Sequence, residues 1–212
     1  MTFLFTDLES STRLWEEHPE AMRTALARHD EILRDAVDGH GGHVVKTTGD
    51  GLHAAFATAH DAIRAAIEAQ RDLSDTDWGP IGNLGVRMGV HTGEAELRDD
   101  DYYGTAVNRA ARVSAAAHGG QILVSHATEE LVRDGLGSDV TLLDHGEHRL
   151  RDLARPERLY QLGAPGLRDE FPPIRSLDAY PGTSPRSSRR SSAATASSPR
   201  SRRPSTRATS SR

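Results

Sequence analysis

Asp7 closes a short apolar run, TFLFTDL, and Asp50 stands in a glycine turn, TTGDG. Paired carboxylates with few other ligands suit hard cations such as Mg2+ or Mn2+, whose shells are completed by phosphate oxygens and water. Two such ions could activate a hydroxyl nucleophile and stabilise a departing phosphate. Each aspartate alone reads as well as a helix cap or a turn residue, since Asp favours both places. The Ser10-Ser11-Thr12 helix start after Asp7 presents free N–H groups toward an anion.

Asn108 and Arg112 lie one helical turn apart in AVNRAARV and share a face, from which Arg109 is excluded. Asparagine can position a ribose, and arginine can meet charge building on a pentavalent phosphate. The alternative is a solvated polar face. Lys46 precedes Asp50 by four residues, and Asp101 ends the acidic run RDDD. A lysine donor and an aspartate acceptor complement N1 and N6 of adenine, whereas guanine is reversed at both atoms. Taken singly they read as a surface cation and a solvated acidic loop. His40, His43 and His53 cluster near the turn without a supporting cysteine and are expected at the surface.

The elements that must position these groups follow from periodicity. TFLFTDL is a buried strand, and MRTALARHDEILRDAV carries apolar residues at helical spacing after Pro19. HVVKTT and LHAAFA flank GDG as a hairpin. ATAHDAIRAAIEAQRDL is an alanine-rich amphipathic helix, and LGVRMGVHTGEAEL is a strand. RDDDYYG is expected to be a loop before the helix TAVNRAARVSAAA. QILVS, HATEELVRDG, DVTLLDHGEHRLRDL and PERLYQLG complete the series. The order β-α-β-β-α-β, then α-β-α-β-β, predicts an α+β fold, a ferredoxin-like core with added elements and helices on one face of the sheet. Many functions use that core, so fold alone decides none.

The 212 residues contain no cysteine, which excludes disulfides and zinc-thiolate sites and fits a reducing cytoplasm. No run approaches the length of a membrane span, and MTFLFTDLESS does not read as a signal peptide. The net charge is -5, yet the segment from Thr183 onward holds eight arginines and no acid, leaving -13 on residues 1–182. An acidic folded part argues against nucleic acid as its partner. Residues 164–182 read as a linker. Residues 183–212 are low-complexity and expected to be disordered; the abrupt change in composition reads as out-of-frame text appended to a truncated regulator.

FLFTDLESST, VVKTTGDGLHAAF and YYGTAVNRAARVSAAA, in this order, resemble the catalytic domain of class III adenylate and guanylate cyclases, over about residues 2–163. The flanking segments look like those of actinobacterial regulators in which a cyclase precedes an ATPase and a helix-turn-helix. The resemblance implies attack of the ribose 3′-hydroxyl on the α-phosphate of ATP, giving cyclic AMP and pyrophosphate. It implies that Asp7, Asp50 and the Leu8 carbonyl bind two divalent cations, that Lys46 and Asp101 select adenine, and that Asn108 and Arg112 serve the transition state. It also implies a homodimer, with Asp7 and Asp50 from one chain and the other four residues from its partner. A guanylate cyclase, or a cyclase-like domain that only binds nucleotide or dimerises, is the alternative. Ser10 stands where the family often has glycine. Arg151 and Arg155 are the candidates for the triphosphate. Met1 abuts the first strand and is expected to leave it open to fraying.

Overall fold

The computed structural model describes residues 1–177, so the expected tail and residues 178–182 of the expected linker lie outside the described residues. Strand β1 (Thr2–Leu8) sends alternate side chains to opposite faces. Leu4 and Leu8 join one apolar cluster, and Phe3 and Phe5 join another on the far face. Burial on both faces explains the unbroken apolar run Phe3-Leu4-Phe5 at the heart of this strand. It pairs antiparallel with β3 (Gly51–Phe56) along one edge and with β4 (Val86–Thr92) along the other. With β2 (His43–Thr48), β7 (Ile122–Ser125), β8 (Thr141–His148) and β9 (Glu157–Gly163), the seven-stranded order is β2-β3-β1-β4-β7-β9-β8. The α+β architecture and its βαββαβ core are those expected from the sequence. At Met1 the carbonyl accepts from Gly93 N at 3.0 Å, and pairing on both edges begins at Thr2.

The helices do not share one face. Helices α1 (Ser11–Glu17), α2 (Pro19–Gly39), α3 (Ala59–Asp75) and α5 (His126–Val132) bury Leu14, Met22, Ile63 and Val132 with Leu4 and Leu8. Helix α4 (Thr105–Ala116) lies on the opposite face, where Ala106 and Ala110 cover Phe3 and Phe5. Its later residues Val113 and Ala116 cover Leu123 and Leu159. A sheet that is apolar on both faces requires a layer on each. Close approach of α4 depends on Gly89 in β4, where an added Cβ would lie 2.2 Å from Ser114 N. The run expected as a loop is instead a hairpin, β5 (Glu96–Arg98) and β6 (Asp101–Tyr103). Asp99 and Asp100 turn it with φ of 51° and 59°, a left-handed pair that two-residue hairpin turns favour.

His91 is buried in β4 and meets Ser125 Oγ at 2.7 Å. The hydroxyls of Ser125, Thr128, Thr92 and Thr2 continue the chain across four elements. Burial, and then the nearby Arg109 charge, push the His91 imidazole down to about 4 from its ordinary 6.5. His29, also buried, moves the same way, chiefly through desolvation. The unfolded chain therefore takes up protons below about 6.5 that the native chain refuses, and stability is expected to fall as pH drops from there toward about 4. His91 alone accounts for up to roughly 3 kcal/mol of that loss. Urea midpoints at pH 7.5 and pH 5 check this, and equal midpoints would contradict it.

Candidate active site

The end of β1, which carries Asp7, and the β2–β3 turn, which carries Asp50, are neighbours in the sheet. Gly49 takes φ of 65°, as the turn requires, and Gly51 packs where no side chain fits. A Cβ on Gly51 would lie 2.8 Å from Thr6 O and 3.8 Å from Asp7 Oδ1. Leu52 N donates to Thr6 Oγ1 at 3.1 Å and locks the turn against β1. Asp50 Oδ2 is buried and has no hydrogen-bond partner. A buried carboxylate oxygen without a donor is costly, and a bound cation is one way to satisfy it.

Arg87 of β4 stands opposite Asp7 in the sheet register. Its Nε donates to Asp7 Oδ2 at 2.7 Å, and its Nη2 donates to the same oxygen. A guanidinium thus compensates the Asp7 carboxylate, and the unpartnered oxygen of Asp50 has the donor chemistry of a hard divalent cation's ligand. Arg87 was not among the residues singled out by motif; only counting the strand register from Asp7 would have found it. Between sheet and α4 lies a cleft of about 240 Å3, lined by Asp7, Gly51, His53 and Arg87 below and by Ala111 and Ser114 above. His53, expected at the surface, is half-buried there and stacks on Phe5 with centroids 3.8 Å apart. Desolvation, then the Lys46 charge, lower its pKa.

Lys46 and Asp101 meet across 55 residues, with Nζ donating to Oδ2 at 2.5 Å. Tyr102 N donates to Asp101 Oδ1 at 2.8 Å and orients the carboxylate. The Lys46 ammonium holds the Asp101 carboxyl below its usual range. Asn108 is exposed on α4, and Arg112 donates to Asp152 Oδ2 at 2.7 Å in the β8–β9 loop. Neither lines the Asp7 cleft of its own chain. Arg109 is committed to Glu157 of β9. Arg151 and Arg155 are exposed in the β8–β9 loop. A separate group, His126, Glu129 and Glu130, is close enough to hold one ion, but Arg133 pairs with both glutamates.

The family model described as "Adenylate and Guanylate cyclase catalytic domain" matches residues 1–162. The chain belongs to the class III adenylate and guanylate cyclase family. An uncharacterised protein of Mycobacterium tuberculosis is 44% identical over 183 residues, covering 85% of this chain and 62% of that protein. An adenylate cyclase of Podospora anserina is 33% identical, covering 76% of this chain and 10% of its own length. The chain thus spans less than two thirds of either relative. Among solved structures, an adenylate cyclase of Trypanosoma brucei in its monomeric state superposes with a TM-score of 0.74 at 29% identity, covering 82% of this chain and 92% of that one. Cyclases of this class generally depend on divalent metal.

Ser10 gives this cyclase domain a strained loop. It caps α1 at φ 61° and ψ 26°, the left-handed region, without a side-chain cap hydrogen bond. Glycine would fit that backbone at no steric cost. Ser10→Gly is expected to stabilise the fold by about 1 kcal/mol, measured as a higher urea midpoint at unchanged slope.

Proposed function

We propose that the domain, residues 1–163, converts ATP into 3′,5′-cyclic AMP and pyrophosphate at a site shared by two copies of the chain. The observation that carries the choice of ATP is the Lys46–Asp101 pair, an ammonium donor beside a carboxylate acceptor. That polarity complements N1 and N6 of adenine and opposes guanine. The adenylate cyclases among its relatives support the same substrate.

Asp7, Asp50 and the Leu8 carbonyl would hold two divalent cations, Mg2+ or Mn2+. When bound, these supply activation of the 3′-hydroxyl and neutralisation of the triphosphate. Arg87, released from Asp7, can turn its guanidinium to phosphate oxygens of the leaving pyrophosphate. Asn108 positions the ribose, and Arg112 meets the charge that grows on the α-phosphorus. The 3′-oxygen to α-phosphorus bond forms as the α–β phosphoanhydride bond breaks, and the hydroxyl proton leaves to solvent.

Three observations support a shared site. The single-chain cleft of about 240 Å3 lies below the range of about 300–1,000 Å3 usual for ligand pockets. Arg112 engages Asp152 rather than the Asp7 cleft, and Asn108 is exposed. The β5–β6 hairpin that carries Asp101 leaves Leu97 and Tyr103 exposed. A second copy, related by a two-fold axis, would complete two identical sites. No helix among the described residues is long and apolar enough to cross a membrane. A cytoplasmic ATP pool is the proposed source of substrate.

The full chain is expected to form cyclic AMP from ATP with Mn2+ or Mg2+, and Asp7→Ala and Asp50→Ala are each expected to lower turnover at least about 100-fold. Rates with ATP and GTP side by side test the base assignment; a GTP preference would overturn it. Arg87→Ala is expected to split binding from turnover. Mn2+ alone should bind tighter, by roughly tenfold, because a competing cation leaves Asp7, while cyclisation slows. Titration of Mn2+ by electron paramagnetic resonance reads the first effect and product formation reads the second.

A further inference from the structure

Residues 164–177 follow the segment matched by the family and were expected to be a linker, yet they are fastened to the cyclase domain. They form neither helix nor strand. Arg71 Nε donates to Pro165 O at 2.9 Å, and Gln161 Nε2 donates to Asp169 O at 2.7 Å. His118 Nε2 meets Pro173 O at 3.0 Å. Ile174 is only 5% exposed and joins the cluster of Val113, Ala116, Leu123, Leu150 and Leu159 beneath α4. Leu177 N donates to Arg149 O at 2.9 Å.

Arg175 touches both halves of the proposed chemistry. Its backbone N–H donates to Ala116 O at 3.1 Å, a carbonyl of the last turn of the helix that carries Asn108 and Arg112. Its guanidinium pairs with Glu9 Oε1. Glu9 follows Asp7 and Leu8 directly. Its other carboxylate oxygen accepts from Gly119 N at 3.1 Å, and its own N–H donates to Gly85 O at 2.8 Å. Glu9 is thereby the fixed point of the loop that turns from β1 into α1, just where Ser10 strains the backbone. The Leu8 carbonyl cannot move without Glu9.

We propose that Arg175, seated by Ile174, is a positioning residue for cation binding: the strap of residues 164–177 clamps the Asp7–Leu8 loop through Glu9 and couples the chain beyond the domain to the site. This rests on the reading of Asp7 and Leu8 as cation ligands. Charge alone and positioning make opposite demands here. Arg175 is a cation near the site, so by Coulomb's law its removal should strengthen binding of another cation. If Arg175 acts by holding the loop, its removal should weaken that binding.

The test uses the full chain with Arg175→Gln, Arg175→Lys and Ile174→Ala. Mn2+ alone is titrated by electron paramagnetic resonance, melting is followed by calorimetry, and KM for Mn2+ and kcat are measured separately with ATP. The expected result is Mn2+ binding weakened roughly threefold in Arg175→Gln and Ile174→Ala, partial recovery in Arg175→Lys, and a change in KM for Mn2+ larger than that in kcat. Tighter or unchanged Mn2+ binding in folded Arg175→Gln would overturn the proposal, as would lowered melting temperatures with wild-type Mn2+ affinity. A wild-type chain that binds Mn2+ but forms no cyclic nucleotide would sink the cyclase reading while leaving the clamp to be decided by these affinities. A wild-type chain that binds no Mn2+ would overturn both.

Discussion

Strand β1 is hydrogen-bonded along both edges and buried on both faces, and its last residue but one is charged. An aspartate at the end of so confined a strand has little freedom of position. Its backbone is paired to β4, and its side chain lines the cleft beneath α4. The neighbouring turn obeys the same confinement, since Gly51 packs against Thr6 O with no room for a side chain. Asp50 is therefore placed by backbone pairing, next in the chain to a glycine packed against the end of β1. The turn leaves one oxygen of Asp50 without a partner.

Most of the other charges assigned to the chemistry are already paired within the chain. Asp7 holds Arg87, Lys46 holds Asp101, and Arg112 holds Asp152. These side chains keep between 24% and 61% of their exposure, so each pair is screened by solvent and contributes little to stability. Such pairs keep the site ordered and are easily exchanged for a phosphate, a purine edge or a metal ion. A buried pair would resist the exchange, because breaking it strands a desolvated charge. Arg109 and Glu157 are of that second kind: the Glu157 side chain is 6% exposed, and the pair joins α4 to β9 as part of the frame.

The fold was largely legible because its signals are local. Pro19 at the start of α2, the glycines after it, the alternation in β1 and the alanine stripe of α3 each follow from short-range sterics and burial. The site was legible less evenly. Asp7, Asp50, Lys46, Asp101, Asn108 and Arg112 have side chains whose chemistry points to a nucleotide, but each alone has an ordinary structural explanation. Arg87 escaped notice because its significance lies in its register against Asp7, across 80 residues of chain. His53 was misplaced for a similar reason: a polar residue near a turn reads as exposed until Phe5 and α4 are set around it. The second helical layer was missed because periodicity says that a side is apolar without saying what covers it.

By itself, the sequence determined the element order, the α+β class, the cysteine-free acidic character of the folded part and, through three motifs in order, the cyclase family. Those properties depend on residue type and spacing along the chain, which are complete before folding. Tertiary structure decided which groups meet. It set Arg87 on Asp7, closed Lys46 onto Asp101, turned Arg112 toward Asp152 and fastened a proline-rich segment through Arg175 to Glu9. Each of these contacts spans at least 40 residues. Such contacts depend on strand register and on how closely α4 can approach at Gly89, and distance along the chain carries neither.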